Sequence, residues 1–518
     1  MPSFFSMSDF EDDELAADML SVSMPEEEEE EEELSPEMVS YYEAVEQYNG
    51  FDMQQQKAVD MALECSRPSD MDCESLAIIG VAGCGKTTVI KFIQRALTER
   101  YASCKLHRFV VLSATTAMAA TLLSALNVYK VLGFIFMRDS ATDKYQAKPD
   151  WRNLNPARLQ MKFGSIGCLI IDEVSMLPAM MMDEISLLFQ TVRRRPGVPF
   201  GGMQVIVVGD FHQLPPIDKF PAGHALAGLK QYAFTSDVWE KLFKERTVHL
   251  THQHRQDGDD GLKGVLNMIR EGRVTDIVNM DRLLQRVRSD APEHAAIVSP
   301  RIKQADKHND DYLDSLTGDE ICFTGSLYVH HGDTPATMVT TPVEFGGHCA
   351  PKDAAELRET RLVPFKNVLK VGCRVIVVAN ISTDLYNGAQ GVFLGMDVTG
   401  VAALVKLDAI EEAQTVFRHS FRSPVPGDDK ATLVYENIPL VVGRAITIHK
   451  CQGMTLDAIF VEGGCFEEGQ FYVACSRVRT MGGLFIADSF QPRDIIVAPM
   501  VQAYYAGIGG LNVAKEVY

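Results

Sequence analysis

No lysine or arginine precedes Lys57, and none of the chain's apolar runs approaches the roughly eighteen residues that a membrane span requires. A cationic secretory leader, an arginine-rich transit peptide and a bilayer passage are therefore not expected, and the chain reads as soluble and intracellular. Its eleven cysteines are scattered and odd in number, with no C-x-x-C pair. That pattern argues against a disulfide frame or zinc finger and for a reducing compartment. His330, His331, His348 and Cys349 follow no ligand spacing, so no metal site is expected there. No internal repeat is present.

Acidic charge is abundant but concentrated. Residues 1–40 carry fifteen of the acidic side chains, including the unbroken run Glu26–Glu33 between Pro25 and Pro36. Such a stretch repels itself and cannot bury a core, so a disordered acidic tail is expected over residues 1–45. It reads either as a solvated tail without partners or as an arm that docks replication or repair proteins or mimics DNA. Without residues 1–40, the net charge of −21 falls to −6, which leaves room for local basic surfaces on the body. At 518 residues the chain exceeds a single core, and a prior of roughly 150 residues per domain suggests three or four units.

The densest local signal is Gly80-Val81-Ala82-Gly83-Cys84-Gly85-Lys86-Thr87, directly after the apolar run Leu76–Ile79 and before a helical stretch that begins at Thr87. Strand, glycine loop and helix in that order cradle a polyphosphate: backbone N–H groups and the helix N-terminus face the phosphates, Lys86 reaches the β/γ-phosphates, and Thr87 ligates magnesium. Nucleotide binding by Gly80, Gly83, Cys84, Gly85, Lys86, Thr87 and Thr88 follows, with ATP and Mg2+ as the implied cofactors.

Short apolar runs at Leu76–Ile79, Phe109–Leu112, Cys168–Ile171 and Met203–Val208 alternate with helical segments, the signature of buried parallel strands in an α/β sheet. A second set at Ala296–Val298, Ala458–Val461 and Leu484–Ala487 has no glycine loop of its own. Two sheets with one loop imply nucleotide held between them. Arg374–Ala379, Gln390–Met396, Ala402–Leu407 and Thr415–Phe421 are short, β-branched and divided by turns such as Asn387-Gly388, which predicts a small β-barrel. Residues 130–163 lack a clear period and read as a small insertion.

Asp172 and Glu173 end one strand at the carboxyl edge of the sheet, where Asp172 is placed to hold magnesium and Glu173 to polarise water. Gln213, in Asp210-Phe211-His212-Gln213-Leu214-Pro215-Pro216, is placed to sense the γ-phosphate. Hydrolysis also calls for cationic charge on the transferring phosphoryl group, worth about 10³–10⁵ in rate. Arg255 and Arg477 are the candidates.

In chain order, Phe51–Ala58, Gly80–Thr88, Asp172–Leu177, Pro199–Gly202 running into Gly209–Pro216, Ile448–Asp457 and Tyr472–Arg477 resemble the motifs of the petite-integration-frequency (PIF) helicases of superfamily one, relatives of the RecD-like helicases. The resemblance implies two RecA-like domains, over 46–250 (with the 130–163 insertion) and over 251–365 plus 445–518, and an SH3-like barrel at 366–444. It also implies ATP-driven 5′-to-3′ movement on single-stranded DNA. Single-stranded and forked DNA are the expected partners of a chain expected to be monomeric without DNA, and the nucleus is the first expected compartment, with a mitochondrion or viral replication site as alternatives. On this basis Gln55 is the adenine reader. Thr115 and Thr116, within Ser113–Met118, and His449, Lys450 and Gln452 are DNA contacts, while Asn309, Asn387-Gly388 and Gln390-Gly391 also fit the pattern.

The chain departs from the family in Ser113-Ala114-Thr115-Thr116-Ala117 and in His212, which bears on DNA grip rather than hydrolysis. Arg193–Arg195 read equally as a phosphate contact or a solvated helix end. Two rival functions stay in view, a translocating or remodelling ATPase that does not unwind and a catalytically silent replication scaffold.

Overall fold

The computed structural model describes residues 36–64, 73–216 with short gaps between 106 and 153, 232–331, 341–342, 363–425 and 428–507. The acidic run Glu26–Glu33 and the histidines at 330, 331 and 348 have side chains outside that description. A helix already begins at Pro36 and runs to Asn49, with Ala44 buried, so ordered structure starts earlier than position 46.

The first sheet has six parallel strands in the spatial order Leu126–Asn127, Phe109–Ala114, Ile166–Asp172, Gln204–Gly209, Leu76–Gly80 and Thr247–Leu250. Leu76–Gly80, Ile166–Asp172 and Gln204–Gly209 are buried at every position, as expected of central strands covered on both faces. One face packs on helices Met53–Glu64 and Lys86–Ser103 through Val59, Leu63, Val89 and Ile93. The other packs on helix Ala179–Val192 and, less expectedly, on Val501 and Tyr505 of the last helix, Pro499–Gly507.

The second sheet is also parallel, in the order Ala445–Thr447, Ala296–Ser299, Ile459–Val461, Leu484–Ala487 and Val287–Arg288. Helix Asp260–Glu271 covers it with Leu262, Val265, Leu266 and Ile269. Asp259 caps that helix by accepting from the Leu262 N–H at 2.8 Å, and Gly272, at φ 70°, ends it in the left-handed conformation that glycine adopts without strain.

Five antiparallel strands, Ala413–Val416, Ala403–Leu407, Gln390–Met396, Arg374–Val377 and Leu440–Val442, form a separate sheet over their own core of Val375, Phe393, Val405 and Leu440. The single strand read at Thr415–Phe421 divides here. Ala413–Val416 stays in this sheet, whereas His419–Val425 pairs with Asp428–Asn437 in another sheet completed by Ser326–His331 and Thr341–Pro342. The division falls at Phe417, which is exposed at 61% and belongs to neither pairing. Within 130–163 lie a hairpin, Phe134–Arg138 with Tyr145–Pro149, and a helix, Pro156–Phe163. Among the described residues no helix is long and apolar enough to cross a membrane.

Candidate active site

The loop from Gly80 to Lys86 leaves the carboxyl end of a central strand next to the point where strand order reverses, the place where open α/β sheets bind ligands. Gly83 and Gly85 have φ of 80° and 78°. A Cβ at Gly83 would stand 2.7 Å from the Arg255 Cβ, so only glycine lets that turn lie against the loop. Lys86 opens helix Lys86–Ser103, and its Nζ donates to the carbonyls of Gly80 at 2.9 Å and Val81 at 3.0 Å. Cys84 is buried, which pushes its thiol up. Thr87 and Thr88 are exposed in the first turn of the helix.

Gln55 is buried under the loop. Its amide nitrogen donates to the Cys84 carbonyl at 3.1 Å, and its Oε1 accepts from the Asp52 N–H at 3.1 Å. Both ends of the side chain hold protein backbone in this arrangement.

Asp172 ends strand Ile166–Asp172 and accepts the Glu173 N–H at 2.8 Å. Glu173 follows at φ 53°, a left-handed conformation that a non-glycine residue keeps only when its surroundings enforce it. Its Oε2 is buried without a hydrogen-bond partner. Burial, then the Asp172 charge, pushes the Glu173 carboxyl up to about 7, against the opposing pull of Lys86 and Arg477. Burial likewise raises Asp172, opposed by the Glu173 N–H and Lys86. Lys86, Asp172, Glu173 and Arg477 thus share one electrostatic neighbourhood.

The second sheet reaches this neighbourhood through helix Gln470–Cys475. The Tyr472 hydroxyl accepts the Ala82 N–H of the loop at 2.9 Å. Arg477 is buried, with Nε donating to the Val473 carbonyl at 2.7 Å and Nη2 to the Ser476 hydroxyl at 2.7 Å. Arg255 lies across from it: its N–H donates to the Gly83 carbonyl at 3.2 Å, and its Nη1 to the Ser476 carbonyl at 2.9 Å. Burial, then the like charge of Arg477, lowers the Arg255 guanidinium. Gln213 is buried, and its carbonyl packs on Gly469, where a Cβ would come within 2.4 Å. Gly469 has φ 74° and immediately precedes helix Gln470–Cys475, so the Gln213 turn and the Arg477 helix touch.

The expected DNA contacts are placed less uniformly. Lys450 is exposed and His449 half-buried on the short helix Ile448–Cys451, which Thr447 caps through its hydroxyl. Burial lowers His449, leaving it neutral near pH 7. Gln452 is buried, and its Nε2 has no partner. Thr115 is buried too, and its hydroxyl donates to the Glu173 carbonyl at 2.7 Å. Thr116 accepts from the Ala119 N–H at 3.1 Å, and residues 117 and 118 lie outside the description.

Asn309 holds a strand edge, exchanging two bonds with the Ala445 backbone, and the Gln390 Oε1 accepts from the Asp457 and Ala458 N–H groups. Asn387 is buried with both amide atoms unpartnered. Arg193 donates to the Ile166 carbonyl at 3.0 Å, which makes it a structural anchor, whereas Arg194 is exposed.

Similarity to known proteins agrees with this geometry. The family model for PIF1-like helicases matches residues 51–278. The ATP-dependent DNA helicase Pif1 of Bdellovibrio bacteriovorus is 30% identical over 442 residues, 85% of this chain and 89% of the relative. The chain belongs to the PIF1-like helicase family. Human PIF1 is 31% identical over 348 residues, 66% of this chain and 50% of its own length, so this PIF1-like chain spans about half of that relative. The crystal structure of Bacteroides sp. Pif1 in complex with ADP-AlF4 superposes with a TM-score of 0.68 at 23% identity, covering 88% of this chain and 97% of that one, and so shares its α/β fold.

Several side chains at the PIF1-like site take contacts that the sequence did not assign to them, including some inside the motifs themselves. Asp210, fully buried, takes Arg270 Nη2 on Oδ1 at 2.9 Å and Arg270 Nε on Oδ2 at 3.3 Å. The Tyr505 hydroxyl donates to the same Oδ1 at 3.0 Å. Burial works to raise the Asp210 carboxyl, but Arg270 overrides it and holds it well below the usual range. His212, the departure from the family pattern, stacks on Tyr505 at 4.4 Å and is driven down to about 4 by burial and Arg270. It is neutral at pH 7. Tyr472 and Gln256, which donates to the Val478 carbonyl at 2.7 Å, complete the bridge between the sheets.

Proposed function

We propose that this chain is an ATP-dependent DNA helicase that moves 5′-to-3′ along single-stranded DNA and separates duplex at forks. One observation carries the reading: the glycine loop is enclosed by side chains from beyond its own sheet, with Tyr472 on the Ala82 N–H and Arg255 joining the Gly83 carbonyl to the Ser476 carbonyl. A nucleotide held there touches both halves, so hydrolysis changes how they sit together.

In this reading the loop N–H groups, Lys86 and Thr88 bind the triphosphate and Gln55 borders the base. Glu173 takes the proton of the attacking water. Gln213 contacts the γ-phosphate and passes its loss to Gly469 and the Arg477 helix, while Arg255 and Arg477 stabilise the charge that develops on the phosphoryl group. The buried acidic pair, with the unpartnered Glu173 Oε2 beside Lys86, suits a hard divalent cation. Thr87 and Asp172 would hold Mg2+, which supplies charge neutralisation on the phosphate oxygens. Lys450 and His449 are the accessible contacts of the later DNA segment. Thr115 and Gln452 act from behind the surface, with Thr115 joining the earlier segment to the Glu173 backbone.

We read the domains as 46–250, which helices Pro36–Asn49 and Pro499–Gly507 join, 251–365 with 445–498, and the insertion 366–444, in a monomer without DNA. The acidic tail is an arm for replication or repair proteins, and the work is nuclear, which localisation of tagged chain tests. A strand-displacement assay on a forked duplex with a 5′ tail decides among the functions. Unwinding that requires ATP is the expected result; turnover without unwinding identifies a translocase, and neither identifies a scaffold.

A further inference from the structure

The turn that carries Arg255 also brings two imidazoles and a carboxylate to one point. His252 Nε2 lies 3.1 Å from Asp257 Oδ1, and His254 Nδ1 lies 3.8 Å from Asp257 Oδ2. One donor atom from each of the three falls within 4.8 Å of the others, the only such convergence of three among the described residues. The rings stand at 68° with centroids 4.4 Å apart, so they converge without stacking face to face. Tetrahedral zinc, with ligands at about 2.0–2.2 Å, sets neighbouring donors roughly 3.3 Å apart. The histidine–carboxylate separations of 3.1 and 3.8 Å bracket that value, and the donors, all within 4.8 Å of one another, close by about 1.5 Å at most to meet it.

The far side of the cluster is organised as well. His254 Nε2, the nitrogen turned away from Asp257, lies 3.0 Å from Asp52 Oδ2. A carboxylate on the outer nitrogen fixes the tautomer that leaves Nδ1 bare and makes the imidazole a better donor. Asp52 is itself fixed, because its Oδ1 accepts the Gln54 N–H at 2.8 Å and the Gln55 N–H at 2.9 Å. The acidic residue behind the histidine is therefore held by the start of a helix from a distant part of the chain.

We propose that His252, His254 and Asp257 form a binding site for a zinc-type divalent cation, three protein ligands with one position left to water. Two imidazole nitrogens and one carboxylate favour zinc over magnesium or calcium, which take oxygen donors. Lys263, 3.1 Å from Asp257 Oδ1, must give way when the ion enters, and the ligand side chains are 37–50% exposed, so binding is reversible rather than structural. The ion would pin the Arg255 turn to the Asp52 corner of the glycine loop. The site lies within one residue of the arginine assigned to hydrolysis, yet its existence does not depend on that assignment.

The test uses the full chain without nucleotide, dialysed against zinc at micromolar concentrations, with bound metal measured by elemental analysis. The wild type is expected to hold one zinc more than His252→Asn or Asp257→Asn, with His308→Asn, outside the cluster, matching the wild type. His252→Cys restores a zinc donor and is expected to regain the ion, which a loss due merely to altered folding would not do. Equal zinc content in wild type and His252→Asn, or no recovery in His252→Cys, overturns the proposal.

Discussion

Replacing Arg270 with methionine should destabilise the first sheet lobe more than any surface change. Arg270 and Asp210 are exposed at only 2% and 0%, and the pair is bidentate at 2.9 and 3.3 Å. Removing one partner of a buried pair strands the other charge, at a cost of about 3–5 kcal/mol. The Tyr505 hydroxyl and the His212 N–H remain on the Asp210 carboxylate but supply no positive charge. Arg270 also lies over the Tyr505 ring at 4.8 Å, a cation–π contact worth about 0.5–2 kcal/mol. The double change Asp210→Leu with Arg270→Met removes both charges and should recover most of the loss, because an apolar pair of similar volume replaces a buried ion pair at little cost.

Trp239 reports on this directly, since it is buried with its ring 5.4 Å from Phe211, next to Asp210. With Trp151→Phe as background, fluorescence during urea unfolding follows Trp239 alone. At a slope of about 2–3 kcal/mol per molar, the single change should lower the midpoint by about 1–2 M. A loss below about 1 kcal/mol from Arg270→Met, or a double variant as unstable as the two single changes added together, refutes the reasoning.

Four further outcomes are expected. Lys86→Ala abolishes DNA-stimulated ATP hydrolysis, measured by phosphate release, while strand binding in a filter assay persists. ATP turnover rises with pH through about 7, because Glu173 must lose a proton that burial and Asp172 help it retain, and in Glu173→Gln the residual rate loses that limb. Tyr472→Phe removes the acceptor for the buried Ala82 N–H at a cost of about 1–3 kcal/mol, seen as weaker binding of a fluorescent nucleotide. Gly83→Ala places a Cβ 2.7 Å from the Arg255 Cβ at φ 80° and lowers kcat in steady-state assays by tenfold or more.

The glycine loop, the Asp172-Glu173 strand end and the two-sheet plan are legible in the sequence because each is written in adjacent residues or in a short repeating pattern. Boundaries were less so: strand Ile166–Asp172 is longer at both ends than its apolar stretch Cys168–Ile171. Register around Phe417 was hidden, because choosing between two antiparallel sheets depends on Ser326–His331, about ninety residues away. The Asp210–Arg270–Tyr505 node escaped for the same reason. A lone arginine on an amphipathic helix and a tyrosine in the last helix have no local mark, and only folding brings them to one carboxylate. Conversely, a motif fixes residue type without fixing exposure, which is why Thr115 and Gln452 match DNA-contacting positions yet lie buried.

Among the described residues, the polypeptide crosses between its two parallel sheets twice, outward between Leu250 and Leu262 and back between Ile495 and Ala498. A body fastened to another at two separated places swings like a door on paired hinges, about the line joining them, and cannot twist freely around a single tether. Helix Pro499–Gly507 is the second hinge pin, seated in the aromatic nest of Phe211, Phe234 and Trp239. In the proposed hydrolysis cycle, two such fastenings would steer each stroke along one arc.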